Sequence, residues 1–139
     1  MLTTKAIAES FGVGTHGSTY GGNPLACAVG GAVMEIVADD AFLSQVNRKA
    51  SLMRQKLEGL VASHPDVFDS VRGTGLMLGL KCKAANTDVV AAGYDQNLLV
   101  VPAADNVIRL LPALNIPDED IAAAVEKLDA AATQVASTA

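Results

Sequence analysis

The chain has 139 residues, half of them hydrophobic, with 4% aromatics, no Trp and a net charge of −5. That length suits one ordinary domain with a single core, and the hydrophobic content excludes disorder for the bulk of it. An acidic balance without a basic run argues against nucleic acid or an anionic membrane as partner, and no apolar run reaches the length of a membrane span.

Residues 1–13 read as a strand end at Leu2-Thr3-Thr4 and a short helix from Lys5 to Phe11. Neither offers a face that could be buried locally, so a partner further upstream is expected. The stretch Gly14-Thr15-His16-Gly17-Ser18-Thr19-Tyr20-Gly21-Gly22-Asn23-Pro24 is the most informative in the chain. Its glycines and the hydroxyls of Ser18 and Thr19 run straight into a helix start. Asn23 is a favoured N-cap, and Pro24 suits the first helical position, where the missing N–H costs nothing. Leu25, Val29, Ala32, Val33, Ile36 and Val37 then recur at helical spacing. A loop rich in donors at the positive end of a helix dipole is suited to receive an anion. A flexible glycine turn before a core helix is the other reading of the same residues.

The first long helix is predicted from Pro24 to Ala38, with Gly30 and Gly31 each weakening it by about 1 kcal/mol against Ala. Those glycines suggest close packing with a neighbour. Asp39-Asp40 breaks the helix and starts the next, from Ala41 to about Ser63. There Leu43, Val46, Ala50, Met53, Leu57 and Leu60 form an apolar stripe, and Arg48, Lys49, Arg54, Lys56 and Glu58 a solvated face. His64-Pro65 ends it. The period then changes. Val67 to Arg72 and Leu76 to Cys82 read as strands around a Gly73-Thr74-Gly75 turn. A helix follows from Asn86 to Gln96, closed by Asn97, which tolerates a left-handed backbone. Leu98 to Val101 and Val107 to Leu111 read as strands around a turn at Pro102 to Asn106. The last helix opens at Pro117-Asp118-Glu119, carries Ile121, Val125, Leu128 and Ala132 inward, and frays at Ser137-Thr138-Ala139. Runs of strands beside runs of helices define an α+β fold, a short, mostly antiparallel sheet covered on one face by helices. Cys27, in an apolar helix, and Cys82, at a strand end, read as buried thiols of a cytosolic protein.

The segment His16-Gly17-Ser18-Thr19-Tyr20-Gly21-Gly22-Asn23-Pro24-Leu25-Ala26 resembles a signature of the class III aminotransferases, fold-type-I enzymes that use pyridoxal 5'-phosphate. Gly14-Thr15-His16 ahead of it is most similar to the acetylornithine branch. The resemblance extends to about Val135. It implies that residues 1–22 are a remnant of a large domain's edge with the cofactor-phosphate loop. Residues 23–139 would be the small C-terminal domain. It also implies a cytoplasmic homodimer with shared active sites, moving the terminal amino group of N-acetylornithine to 2-oxoglutarate in arginine biosynthesis. Ornithine or succinylornithine aminotransferases, or a non-catalytic anion-binding module, are the alternatives.

On that resemblance Thr19 holds the cofactor phosphate, and Ser18 lies beside it near the substrate. Period-2 alternation places Val107, Arg109 and Leu111 on one strand face and Ile108 with Leu110 on the other. A lone Arg among apolar neighbours calls for a carboxylate. In the family the Arg of Arg109-Leu110-Leu111-Pro112 faces the active site and meets a substrate carboxylate or an acidic side chain of the large domain, so Arg109 is the substrate-binding candidate; an edge-strand Arg reaching to water is the other reading. The family commonly has two prolines where this chain has Pro112-Ala113. Arg72-Gly73-Thr74-Gly75-Leu76 matches a family turn and reads as structural. His16 and His64 form no ligand constellation, so no metal site is expected. A pyridoxal enzyme needs a lysine to carry the cofactor covalently. Lys5 is near the loop, but the family's lysine sits further upstream in its own glycine-rich segment, and nothing in the sequence confines Lys5. The 139 residues alone are therefore expected to be inactive, with no catalytic residue among them.

Overall fold

The computed structural model describes residues 3–12, 14–15 and 17–138. The chain divides into two compact units, Met1–Asp39 and Asp40–Ala139. In the first, α1 (Lys5–Ala8) is a single turn. It stops short of Phe11 because Ser10 and Phe11 donate to the carbonyls of Ile7 and Ala8, three residues back, and so close a turn instead of extending the helix. Thr3 and Thr4 form no strand, and Leu2 lies outside the described residues. The helix α2 (Pro24–Val37) begins as the sequence predicts. Asn23 is extended, its side chain accepts the Ala26 N–H at 2.9 Å, and Pro24 takes the first helical position.

The interior of α2 departs from expectation. None of its residues is buried; Leu25 is 75% and Ile36 61% exposed. Cys27 is likewise exposed, which corrects its reading as a buried thiol. Nothing among the described residues lies within 4 Å of where a side chain on Gly30 or Gly31 would start. The periodicity identified an apolar helix without identifying what covers it.

The second unit carries the sheet. The helix α3 (Asp40–Ser63) buries Val46, Met53, Leu57 and Leu60, while Leu43, on its first turn, stays half exposed. Strands β1 (Phe68–Thr74) and β2 (Met77–Cys82) make an antiparallel hairpin across Gly75-Leu76. Gly73, near the end of β1, has a φ of +102°, and a Cβ there would sit 2.2 Å from the Met77 carbonyl oxygen, so that position admits only glycine. The helix α4 (Asn86–Asp95) ends with Asn97 left-handed at φ +54°, as predicted. Strand β3 is Val101–Ala103 and not Leu98 to Val101. The Leu98 N–H is taken by the Gly93 carbonyl at 2.9 Å, closing α4, and Pro102 is tolerated because β3 is an edge strand. β4 (Val107–Leu110) pairs with both β2 and β3, giving the order β1-β2-β4-β3, antiparallel throughout.

The helix α5 (Asp118–Thr138) continues through Ser137 and Thr138 instead of fraying. Both hydroxyls bond the Gln134 carbonyl, at 2.8 and 2.9 Å. Helices α3, α4 and α5 cover one face of the sheet, where Leu57, Leu80, Ile108 and Leu128 are fully excluded from water. The face of α3 read as merely solvated also makes tethers. Arg48 forms a two-point pair with Asp118 at 2.8 and 2.9 Å, Lys49 donates to the Ile116 carbonyl at 2.6 Å, and Arg54 donates to the Gly73 carbonyl at 2.6 Å. These contacts fix the start of α5 and the β1–β2 turn against α3.

Cys82 is buried as expected, and burial pushes its thiol up to about 11. At pH 8 iodoacetamide should therefore label Cys27 quickly and Cys82 only on unfolding, read by peptide mass mapping. Equal labelling of both in the folded chain would refute that contrast. The raised value also sets a sign. The thiol stays protonated in the folded chain, so its contribution to stability is intact below the unfolded value near 9 and is lost as pH rises towards 11.

Candidate functional site

The loop before α2 is shaped by Gly14 and Gly22, both left-handed at φ +81° and +74°. Thr15 spends its hydroxyl locally, donating to the Gly12 carbonyl at 2.7 Å. Ser18 and Thr19 do not. Both are exposed, and neither side chain makes a hydrogen bond among the described residues. A Cβ on Gly21 would stand 2.5 Å from the Ser18 Oγ, so glycine keeps the space in front of that hydroxyl clear. Two unengaged hydroxyls beside a capped helix N-terminus are a donor set that fits a phosphate monoester without adding fixed charge. His16 lies outside the described residues. Lys5 is exposed on the single turn of α1. Among the described residues no group of three His, Cys, Asp or Glu could hold a metal ion. His64 is instead bonded to Asp129 at 2.7 Å, joining the end of α3 to α5.

In the second unit the strand alternation behaves as predicted. Ile108 and Leu110 point into the core, and Arg109 stands exposed on the sheet face that no helix of this unit covers. The register sets Arg109 level with Gly79 on β2 and Val101 on β3, and Gly79 level with Arg72 on β1. A shallow trough of about 280 Å³ opens there, lined by Arg72, Met77, Gly79, Ala103, Val107 and Arg109. Arg72 and Lys81 both pair with the carboxylate of Asp105, whereas Arg109 makes no ion pair among the described residues. Hydrogen bonds from Lys81 and then Arg72 hold the Asp105 carboxyl below its ordinary range. A cavity of about 420 Å³ between α4 and α5 contains none of the candidate residues.

Sequence reasoning placed Asp105 and Asn106 in a turn and went no further. Asn106 accepts the Asn86 N–H and donates to the carbonyls of Cys82 and Ala84, each at 2.8 Å, so it pins the β3–β4 turn to the end of β2. The register of β2 against β4 was the missing signal, because it puts Lys81 beside this turn.

This α+β fold, with its four-stranded antiparallel sheet, is shared with pyridoxal-phosphate-dependent aminotransferases. The acetylornithine aminotransferase of Elizabethkingia anophelis superposes with a TM-score of 0.76 at 31% identity, covering 96% of this chain and 34% of that one. The ornithine aminotransferase of Toxoplasma gondii, described with pyridoxal phosphate partially occupying its active site, gives 0.78 at 27% identity, over 95% of this chain and 32% of that one. A family model described as aminotransferase class-III matches residues 1–132, and the chain belongs to that family. It is 60% identical to the acetylornithine aminotransferase of Rhodobacter capsulatus and 52% identical to that of Mesorhizobium japonicum, each over 97% of this chain and 34% of the relative. The chain thus spans about a third of the length of these relatives. Class III aminotransferases depend on pyridoxal phosphate. No helix among the described residues is long and apolar enough to cross a membrane.

Proposed function

We propose that these 139 residues form the C-terminal part of an acetylornithine aminotransferase. It would transfer the terminal amino group of N-acetylornithine to 2-oxoglutarate in arginine biosynthesis, as a cytoplasmic homodimer with shared active sites. The observation that carries this reading is the pair of hydroxyls at Ser18 and Thr19, which make no hydrogen bond among the described residues and stand in the family's signature loop. Similarity to proteins named for N-acetylornithine supports the substrate. Bound pyridoxal phosphate supplies the electron sink for the reaction. Thr19 Oγ1 donates to its phosphate, and Ser18 donates beside it on the substrate side. Arg109 receives a substrate carboxylate, for which its guanidinium fork is suited. Residues 1–22 belong with the large domain's edge and 23–139 with the small domain. The exposed apolar side of α2 is the surface the rest of the enzyme would cover. The lysine that carries the cofactor covalently is not supplied by this segment, so these residues alone bind and position without turning over.

Replacing the matching C-terminal third of the R. capsulatus enzyme with this chain tests the assignment. The chimera should transaminate N-acetylornithine with 2-oxoglutarate and prefer it to ornithine and N-succinylornithine. A folded, cofactor-loaded chimera that prefers ornithine would move the assignment to the ornithine branch. One without any transamination would refute it.

A further inference from the structure

On the sheet face that no helix of this unit covers, Arg72 and Arg109 line one trough and Lys81 lies beside it. Arg72 and Arg109 stand on β1 and β4 in the same cross-strand row, two strand spacings or about 10 Å apart at the backbone, with Gly79 between them. No side chain rises from that middle position; a Cβ there would sit 2.7 Å from Val107 Cγ1. Lys81 lies two residues along β2, on the same face. Left to themselves, the two guanidiniums lining a trough of about 280 Å³ and the ammonium of Lys81 two residues along β2 would attract a compact polyanion.

Asp105 prevents that arrangement. Its backbone is left-handed at φ +61° and is followed by Asn106 at +52°. Glycine would adopt this conformation without the Cβ penalty, whereas aspartate brings a carboxylate. The Asn106 bonds to Asn86, Cys82 and Ala84 fix where that carboxylate starts. Lys81 Nζ then donates to the Asp105 carboxylate at 2.8 Å and also to its backbone carbonyl, and Arg72 donates to the other carboxylate oxygen.

We propose that Asp105 sets the anion specificity of this face: by occupying Arg72 and Lys81 it leaves Arg109 to meet a single carboxylate end and turns away compact polyanions. This rests on the reading of Arg109 as a carboxylate site, and it adds a residue that decides which anions reach it. Asp105 is a positioning residue, since it acts through the two cations and touches no substrate.

The test follows the guanidinium Nε–H signals of Arg72 and Arg109 by NMR in the 139-residue chain at low salt, titrating inorganic pyrophosphate and 2-oxoglutarate separately. In the unaltered chain, 2-oxoglutarate should move the Arg109 signal, and pyrophosphate should bind weakly without moving Arg72. In Asp105→Asn and Asp105→Gly, pyrophosphate should bind about tenfold more tightly, the gain expected from freed charge-assisted donors, and should move both signals. The first variant keeps a residue tolerant of the left-handed backbone and the second relieves it, so a fold defect in one does not remove the test. Unchanged pyrophosphate affinity in folded variants would overturn the proposal. Failure of 2-oxoglutarate to move Arg109 in the unaltered chain would strike the reading of Arg109 instead, and the pyrophosphate comparison would still decide Asp105.

Discussion

Phe68→Ala is expected to cost about 3–5 kcal/mol of folding stability, as large-to-small changes at sealed aromatic positions do. Phe68 opens β1 at 1% exposure and belongs to the cluster that joins α3, the sheet and α5. The loss combines the transfer free energy of the ring with the cavity left behind, because β1 is held in register by β2 and cannot collapse into the gap. A domain of this size has a total stability of about 5–15 kcal/mol, so the variant sits near the edge of folding. Its melting temperature should fall by roughly 15–30 °C. Leu99→Ala is the control. Leu99 is 86% exposed, and the change should stay within about 0.5 kcal/mol. Circular dichroism melts of the two variants check the contrast. Equal losses would mean that the core has been misassigned.

Arg109→Ala in the chimera is expected to lower turnover with 2-oxoglutarate by about ten- to a hundredfold, the value of a lost charge-assisted contact of about 1.5–3 kcal/mol. The side chain is exposed on β4 and makes no hydrogen bond among the described residues, so its removal should leave the melting temperature nearly unchanged. Ile108 and Leu110, which face the core, are untouched by the change. Lysine at this position should rescue only part of the rate, since an ammonium cannot reproduce the two-point geometry of a guanidinium. Kinetics that stay intact while the melting temperature falls would make Arg109 a structural residue.

Most of the second unit could be read from the sequence, because its periodicities are backed by burial. The α3 stripe from Val46 to Leu60, the hairpin around Gly73 and the alternation that turns Arg109 outward each depend on neighbours a few residues away. The misses have separate causes. Leu98 to Val101 reads as a strand, yet the Leu98 N–H is committed to Gly93 and the residues paired with β4 are Val101–Ala103. An apolar helix makes Cys27 read as buried, yet it is exposed, because periodicity carries no information about a covering partner. Among the candidate residues, the motif points to Ser18 and Thr19, and alternation alone predicts the outward face on which Arg109 stands. Asp105 was not legible, since its importance arises from cations on β1 and β2 that only the sheet register brings together.

On the proposed function, this chain would supply positioning groups for pyridoxal phosphate and not the lysine that carries it. Incubating the 139-residue chain with the cofactor, reducing with borohydride and mapping the labelled peptides by mass spectrometry tests it directly. The predicted result is weak, phosphate-directed binding that Thr19→Ala diminishes, scattered low labelling with no preference for Lys5, and no transfer from N-acetylornithine to 2-oxoglutarate. Selective labelling of Lys5 above the other lysines, together with measurable transfer, would contradict it.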